Sequence, residues 1–348
     1  MTPHEDRHDG EVTPFGDGAD KLVMSTMWGS SPRWQRSVDY YVTTRFGTPG
    51  DLARLWRLAD GKAGVILLGS VTRRHRYRDL VFAGLLRLGT APERRPRVLI
   101  TDATWKPESA SLARLTGLPP SWFGLPARAV VRLIDGPHVR YAVLSTEENE
   151  TFARTWGVDA DRVVFTPFPS TIEPTTPTTR GDYLFAGGNS LRDYALLQEA
   201  LRGTDVPCRV ASTWQPSDQQ GPIEAGPVPH DDFVTLLAGC RASVVPLQRT
   251  VRSAGQQSYL NAMMLAKPVV VTEAPGVRDY IIDGETGVIV PPDPVAMREA
   301  ILHVMDPANE AHYAEMGRRA REWVTRNATQ SRYMDDILLD AIGLPRSD

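Results

Sequence analysis

The residues Ser253-Ala-Gly255-Gln-Gln-Ser258 stand between an apolar run and an amphipathic one. A helix that starts here leaves its first backbone N–H groups unpaired and partly positive, which suits a diphosphate or a similar polyanion. Gly255 lets such a group come close to the backbone. Arg192 lies five residues after Gly187, in Gly187-Gly188-Asn-Ser-Leu-Arg192. It reaches toward the same place with two charged hydrogen bonds in a fixed fork. A cation is disfavoured by the dipole at a helix start, so a purely decorative arginine is poorly explained there. Glu273-Ala-Pro-Gly276-Val277 follows a buried run and should end on the same side, although Glu273 alone could be a surface residue.

The first half offers weaker candidates. Trp28-Gly29-Ser30 follows the first strand, His75 is surrounded by Arg73, Arg74, Arg76 and Arg78, and Asp102 ends a strand. Asp102 or His75 could serve as a base, and the arginines could hold an anionic ligand or decorate a solvated loop. Asp159-Ala-Asp161 has the look of a metal-binding pair but sits in a turn leading into a strand, so no metal site is expected. Cys208 and Cys240 form no CxxC or CxxH pattern and read as small apolar side chains of a reduced protein.

The elements that must position these residues alternate between strand and helix, the signature of parallel βαβ units. Strands are expected at Lys21–Thr26, Ala63–Leu68, Arg97–Asp102, Arg140–Ser145 and Arg162–Thr166, with a helix from Pro32 to about Phe46 and others over Asp51–Ala59 and Tyr77–Leu88. Ser145 caps a further helix with Glu147 and Glu148 in its first turn. After the Thr/Pro-rich stretch 170–180, read as a linker, strands at Tyr183–Ala186, Cys208–Ser212, Ala242–Pro246 and Pro268–Thr272 alternate with helices at Asp193–Leu201, Asp231–Ala238 and Gln256–Leu265. The expected organisation is a disordered tail over 1–20, one Rossmann-like domain over 21–169, the linker, a second domain over 181–326, and a helix over 327–348, which the family resemblance set out below implies returns to the first domain.

With 348 residues, 41% of them hydrophobic, and a net charge of −3, the chain has the composition of a globular protein of two domains and lacks the basic excess of a nucleic-acid binder. No run approaches the roughly 20 apolar residues of a membrane span. The acidic, glycine-rich start has no signal-peptide core, so a cytoplasmic location is expected. Residues 114–140 mix Trp122, Phe123, Leu125, Val130, Val131, Leu133 and Ile134 with Arg128 and Arg132. That mixture suits either packing on a sheet or a peripheral seat on an anionic inner membrane face.

The run from Leu260 to Pro292, with its Lys267-Pro-Val-Val strand, Pro275-Gly-Val turn, Asp283-Gly-Glu-Thr-Gly hairpin and Val290-Pro-Pro, resembles the C-terminal domain of the GT-B glycosyltransferases of family 4. Gly187–Tyr194, Met316-Gly-Arg-Arg-Ala-Arg-Glu and Val143-Leu-Ser-Thr-Glu-Glu fit the same family. The resemblance covers about 140–330 well and 20–140 in outline. It implies two Rossmann-like domains facing a cleft, and transfer of a hexosyl group from a nucleotide diphosphate, UDP by family frequency, to a small-molecule or glycan acceptor. It implies retention and no metal or other cofactor. Gly187, Gly188, Arg192, Ser253, Gly255, Gln256, Gln257, Ser258, Asn261, Glu273, Gly276 and Val277 would hold the donor, and His230 would lie near the base. Arg192, with Asp102 and His75, would act in catalysis, and Trp28, Gly29 and Ser30 would face the acceptor.

The chain departs from the family at two places. Members often carry two glutamates eight apart, the first near the transferred sugar and the second on the ribose; here those positions are Ser253 and Asn261. Asn261 still offers a donor and an acceptor to hydroxyls but no charge. A nucleotide-sugar 2-epimerase, which shares the architecture but needs acid/base carboxylates that are sparse here, and a non-catalytic sugar-nucleotide binder that has lost the two glutamates stand as alternatives. The sequence does not give the oligomeric state.

Overall fold

The computed structural model describes residues 21–27, 29, 31–41, 43, 46–69, 77–103, 105, 117, 119, 122, 124–217, 221–250 and 252–343. The chain divides into two compact units: residues 1–144, 149–166 and 334–348 form the first, and residues 145–148 and 167–333 the second.

The first unit carries a six-stranded sheet of β1 (Val23–Ser25), β2 (Val38–Tyr40), β3 (Gly64–Leu68), β4 (Arg97–Thr101), β5 (Val139–Val143) and β6 (Val163–Phe165). The strands run parallel in the order β2-β1-β3-β4-β5-β6. Its helices include α1 (Pro32–Ser37), α2 (Pro49–Ala59), α3 (Arg78–Gly89) and α4 (Gly124–Ile134). A further helix, α5 (Thr146–Trp156), has its first turn in the second unit and the rest in the first. The strands are apolar on both faces, as strands covered by helices on both sides must be. Trp105, Tyr141, Phe152 and Trp156 meet with ring centroids 5.4–6.1 Å apart in the core, where Trp105 donates its Nε1–H to the Gly69 carbonyl at 2.8 Å.

The helix expected to run from Pro32 to Phe46 stops at Ser37. Val38-Asp-Tyr40 instead forms an edge strand in register with Val23–Ser25. β-Branched and aromatic residues there gain more on a pleated edge than in a helix. Residues from Met334 belong to the first unit: Asp335 accepts a bond from Ser31, the Gly343 and Ala341 carbonyls accept from Arg97 and Arg140, and Leu338 and Ile342 are buried.

The second unit carries β7 (Leu184–Gly187), β8 (Cys208–Ala211), β9 (Ile223–Gly226), β10 (Ala242–Val245), β11 (Val269–Thr272) and β12 (Val288–Val290), parallel in the order β12-β11-β10-β7-β8-β9. Its main helices are α6 (Tyr194–Leu201), α7 (His230–Gly239), α8 (Gln256–Met264), α9 (Pro294–Met305) and α10 (Glu310–Asn327). Counted from its own first strand the order is 6-5-4-1-2-3, so the chain reverses direction across the sheet between β7 and β10. Ligands of such sheets bind at the carboxyl ends of the strands beside that reversal. In the first unit the reversal falls between β1 and β3.

Residues 170–180 are tied to the second unit throughout. The Ser170 N–H reaches the Ala328 carbonyl, the Thr179 N–H the Ala238 carbonyl, and the Lys267 ammonium the Thr179 and Cys240 carbonyls. Cys208 and Cys240 are both buried and unpaired, and burial pushes each thiol up to about 12. No helix among the described residues is long and apolar enough to cross a membrane.

Candidate donor site of the second unit

The reversal between β7 and β10 is where the sequence candidates gather. β7 ends at Gly187, whose missing side chain leaves room for Phe233 of α7; a Cβ would lie 2.4 Å from that ring. Gly188 follows at φ +102°. The loop then closes on the end of β10: the Asp193 N–H bonds the Pro246 carbonyl, and the Gln248 N–H the Leu191 carbonyl. Asp193 caps α6 by accepting from the Leu196 N–H at 3.1 Å.

Arg192 is half-buried inside this loop. Its Nε donates to the Gly187 carbonyl at 3.1 Å, Nη1 to the Ser190 carbonyl at 2.7 Å, and Nη2 to the Ser258 hydroxyl at 2.7 Å. Those contacts use three of the five N–H groups a guanidinium carries. No carboxylate among the described residues acts on it, and desolvation pushes its pKa down. The position is not the exposed loop site that its place in the sequence suggests, because the side chain also ties β7 to α8.

Ser258 lies in the first turn of α8. Gly255 precedes that helix at φ +91° in the left-handed region, and a Cβ there would press on Leu247 at 2.9 Å. No side chain caps the helix. The N–H groups of Ser258 and Tyr259 turn back to the Gly255 carbonyl, whereas those of Gln256 and Gln257 have no acceptor among the described residues. Among the described residues, then, a guanidinium that meets no carboxylate stands beside helix-start amides that have no acceptor.

The remaining candidates are placed as follows. Ser253 is buried and donates its N–H and hydroxyl to the two oxygens of Glu148, at 2.8 and 3.0 Å. Gln256 donates to the Ser253 hydroxyl at 2.6 Å, and Gln257 to the Thr171 hydroxyl at 3.2 Å. Asn261 is also buried. Its carbonyl accepts from the Ser170 hydroxyl and the Thr171 N–H, and its amide donates to Thr171, so it braces residues 170–171.

Glu273 holds Arg278 in a two-pronged pair and is only partly exposed. Gly276, at φ +80°, packs against Ser145 and Ser253, and Val277 is fully buried. His230 opens α7 and is exposed. In the sequence Glu148 stands only as a helix-start acid, and its one local signal, the pattern Ser145-x-x-Glu148, points to a helix cap.

In the first unit Asp102 follows β4 and is exposed at φ +52°, a conformation aspartate tolerates better than most residues. Gly29 packs on the buried Trp34 ring. Trp28, Ser30, His75, Arg73, Arg74 and Arg76 lie outside the described residues. Arg78 is buried, pairs with Asp79 at 2.8 Å and stacks over Phe46. Asp159 caps a short 3-10 turn by accepting from the Asp161 N–H.

Residues 218–306 match the family described as glycosyl transferases group 1. The matched stretch lies within the second unit. Among solved structures, Alr3699/HepE of Anabaena, crystallised with UDP and glucose, superposes on this GT-B chain with a TM-score of 0.61 at 12% identity, covering 93% of this chain and all of that one. A glycosyltransferase from Rickettsia africae gives 0.59 at 11% identity, covering 92% and 89%. A curated trehalose synthase of Pyrococcus horikoshii is 31% identical over 105 residues, which is 30% of this chain and a quarter of that enzyme's length. The two six-stranded parallel sheets agree with the α/β GT-B fold expected from the sequence.

Proposed function

We propose that the protein is a glycosyltransferase that moves a hexosyl group from a nucleoside diphosphate, UDP in the favoured case, to a small-molecule or glycan acceptor. The observation that carries the reading is Arg192, a guanidinium that faces no carboxylate among the described residues, at the strand-order reversal beside the uncapped start of α8. Charge develops on the diphosphate as the sugar leaves, and fixed donors aimed at that charge lower the barrier. The two N–H groups Arg192 keeps, with the Gln256 and Gln257 amides, supply that stabilisation without calling on a metal. In this reading the acceptor attacks the face the diphosphate leaves, so the configuration is retained and no protein nucleophile is needed. Asp102 and His75 of the first unit are the candidates on the acceptor side, with Trp28, Gly29 and Ser30. Asn261 serves the donor indirectly, by holding residues 170–171.

The proposal extends to a peripheral inner-membrane seat. Helix α4 turns Val131 and Ile134 inward but leaves Leu125, Val130 and Leu133 exposed beside Arg132, which suits a lipid-linked acceptor. Sedimentation with anionic vesicles at low salt tests this part alone, and absence of binding removes it.

The main test is a melting shift with UDP, then turnover of a panel of UDP-sugars. A nucleotide bound only by the folded state adds about 2.7 kcal/mol at a hundredfold excess over its dissociation constant. The shift should persist in EDTA, and a shift seen only with magnesium or manganese removes the metal-free site. Binding without sugar loss selects the non-catalytic alternative, and inversion at C2 of the sugar selects the epimerase.

A further inference from the structure

The segment Ser145–Glu148 belongs to the second unit and reaches two of its turns at once. The Thr146 N–H and hydroxyl donate to the two oxygens of Asp279, at 2.8 and 2.7 Å. Glu147 accepts from the Gly276 N–H at 3.2 Å. Glu148, only 4% exposed, takes both the N–H and the hydroxyl of Ser253. The Ser253 hydroxyl in turn accepts from Gln256, the first residue of α8. The packing agrees with the bonding, since a Cβ on Gly276 would lie 2.6 Å from Ser145 and 2.9 Å from Ser253. A serine followed three residues later by glutamate ordinarily forms a closed cap, the glutamate returning to its own helix start. Here Ser145 still caps Glu148, at 3.2 Å, while the Glu148 carboxylate spends its oxygens on a residue 105 positions away.

We infer that Glu148 is a positioning residue for the donor site: through Ser253 and Gln256 it sets the turn that presents the first amides of α8. The inference rests on the reading of that helix start as the diphosphate site. It differs in sign from a simple charge effect. A carboxylate near a phosphate repels it, so removing the charge alone would tighten binding; loosening the turn weakens it.

Calorimetry with UDP, and saturation-transfer NMR with uridine as the phosphate-free probe, separate the cases. E148Q keeps the shape without the charge and E148D the charge without the reach. Each should weaken UDP about tenfold or more, the loss expected for a charge-assisted hydrogen bond, and leave uridine unchanged. S253A should do the same, and E148Q/S253A should be no weaker than either single change, because both break one linkage. E148Q binding UDP as tightly as the wild type, or more tightly, overturns the inference, and so does an equal loss of uridine. If E148Q fails to fold while S253A binds UDP normally, the inference is overturned as well. A wild-type protein that binds no UDP overturns the donor-site reading together with the inference.

Discussion

The two units place an arginine at the same kind of position and use it differently. In the first, Arg78 opens α3 at the reversal between β1 and β3, where Asp79 takes its guanidinium and the Thr26 hydroxyl donates to the same carboxylate at 3.1 Å. In the second, Arg192 follows β7 at the reversal between β7 and β10 and, among the described residues, meets carbonyls, a hydroxyl and aromatic neighbours but no carboxylate. A buried cation that carries its own carboxylate is electrically complete and serves the fold. One left with dipoles alone keeps a positive field for an incoming anion. Fold similarity would assign the two positions alike; the charge around them does not.

The largest effect expected is from truncation after Tyr333. It removes Met334, Leu338 and Ile342 from the first unit, each worth about 1.5–3 kcal/mol when fully buried. Amide exchange in β1–β6 should accelerate while β7–β12 stay protected, and unchanged protection in the first unit would make the segment dispensable.

Arg192→Ala comes next. It should cost about 1.5–3 kcal/mol of UDP affinity per charged bond lost, and some melting temperature as well, because β7 and α8 are linked through it. Arg78→Ala should lower stability and leave UDP binding intact. If both changes act on UDP equally, the contrast between the two units fails.

Two glycines sharpen it further. Gly276→Ala forces a side chain into a left-handed conformation against Ser145 and Ser253, at about 1–3 kcal/mol, and should weaken UDP binding. Gly29→Ala crowds Trp34 in the first unit and should change the melting temperature while leaving UDP binding as it is.

The smallest effect concerns His138, whose pKa is lowered to about 4, mainly by desolvation and then by Arg95, Arg87 and Arg162. The unfolded chain protonates this ring near its ordinary value of 6.5 and the folded one does not. Stability should therefore be level above pH 6.5, fall as pH drops toward 4, and stop falling from this cause below that. His138→Gln should flatten this part of a denaturation series, and an unaltered slope would show the ring to be already solvated.

The alternation of apolar runs made the two sheets legible, since parallel strands covered on both faces are continuous hydrophobic segments such as Val269–Thr272. Edge strands were harder. Ile223-Glu-Ala-Gly226 is half-exposed and weakly apolar, and nothing local marks it as the strand beside β8. The glycines and Arg192 were legible because their chemistry is local to a loop. Glu148 was not, because its role depends on Ser253, a partner brought near only by the topology. Asn261 shows the converse: register placed it in the site, while its hydrogen bonds show an amide occupied by residues 170–171.

The cysteines have a practical consequence. Thiolate is the species that maleimides and iodoacetamide attack, and Cys208 and Cys240, buried and held near a pKa of about 12, offer almost none of it at neutral pH. A single cysteine introduced at an exposed position such as His230 would be the one reactive handle on the native protein. A fluorophore or spin label could then be attached at the start of α7, near the loops proposed to hold the donor, without stripping the background thiols, and movement there followed as nucleotide is added.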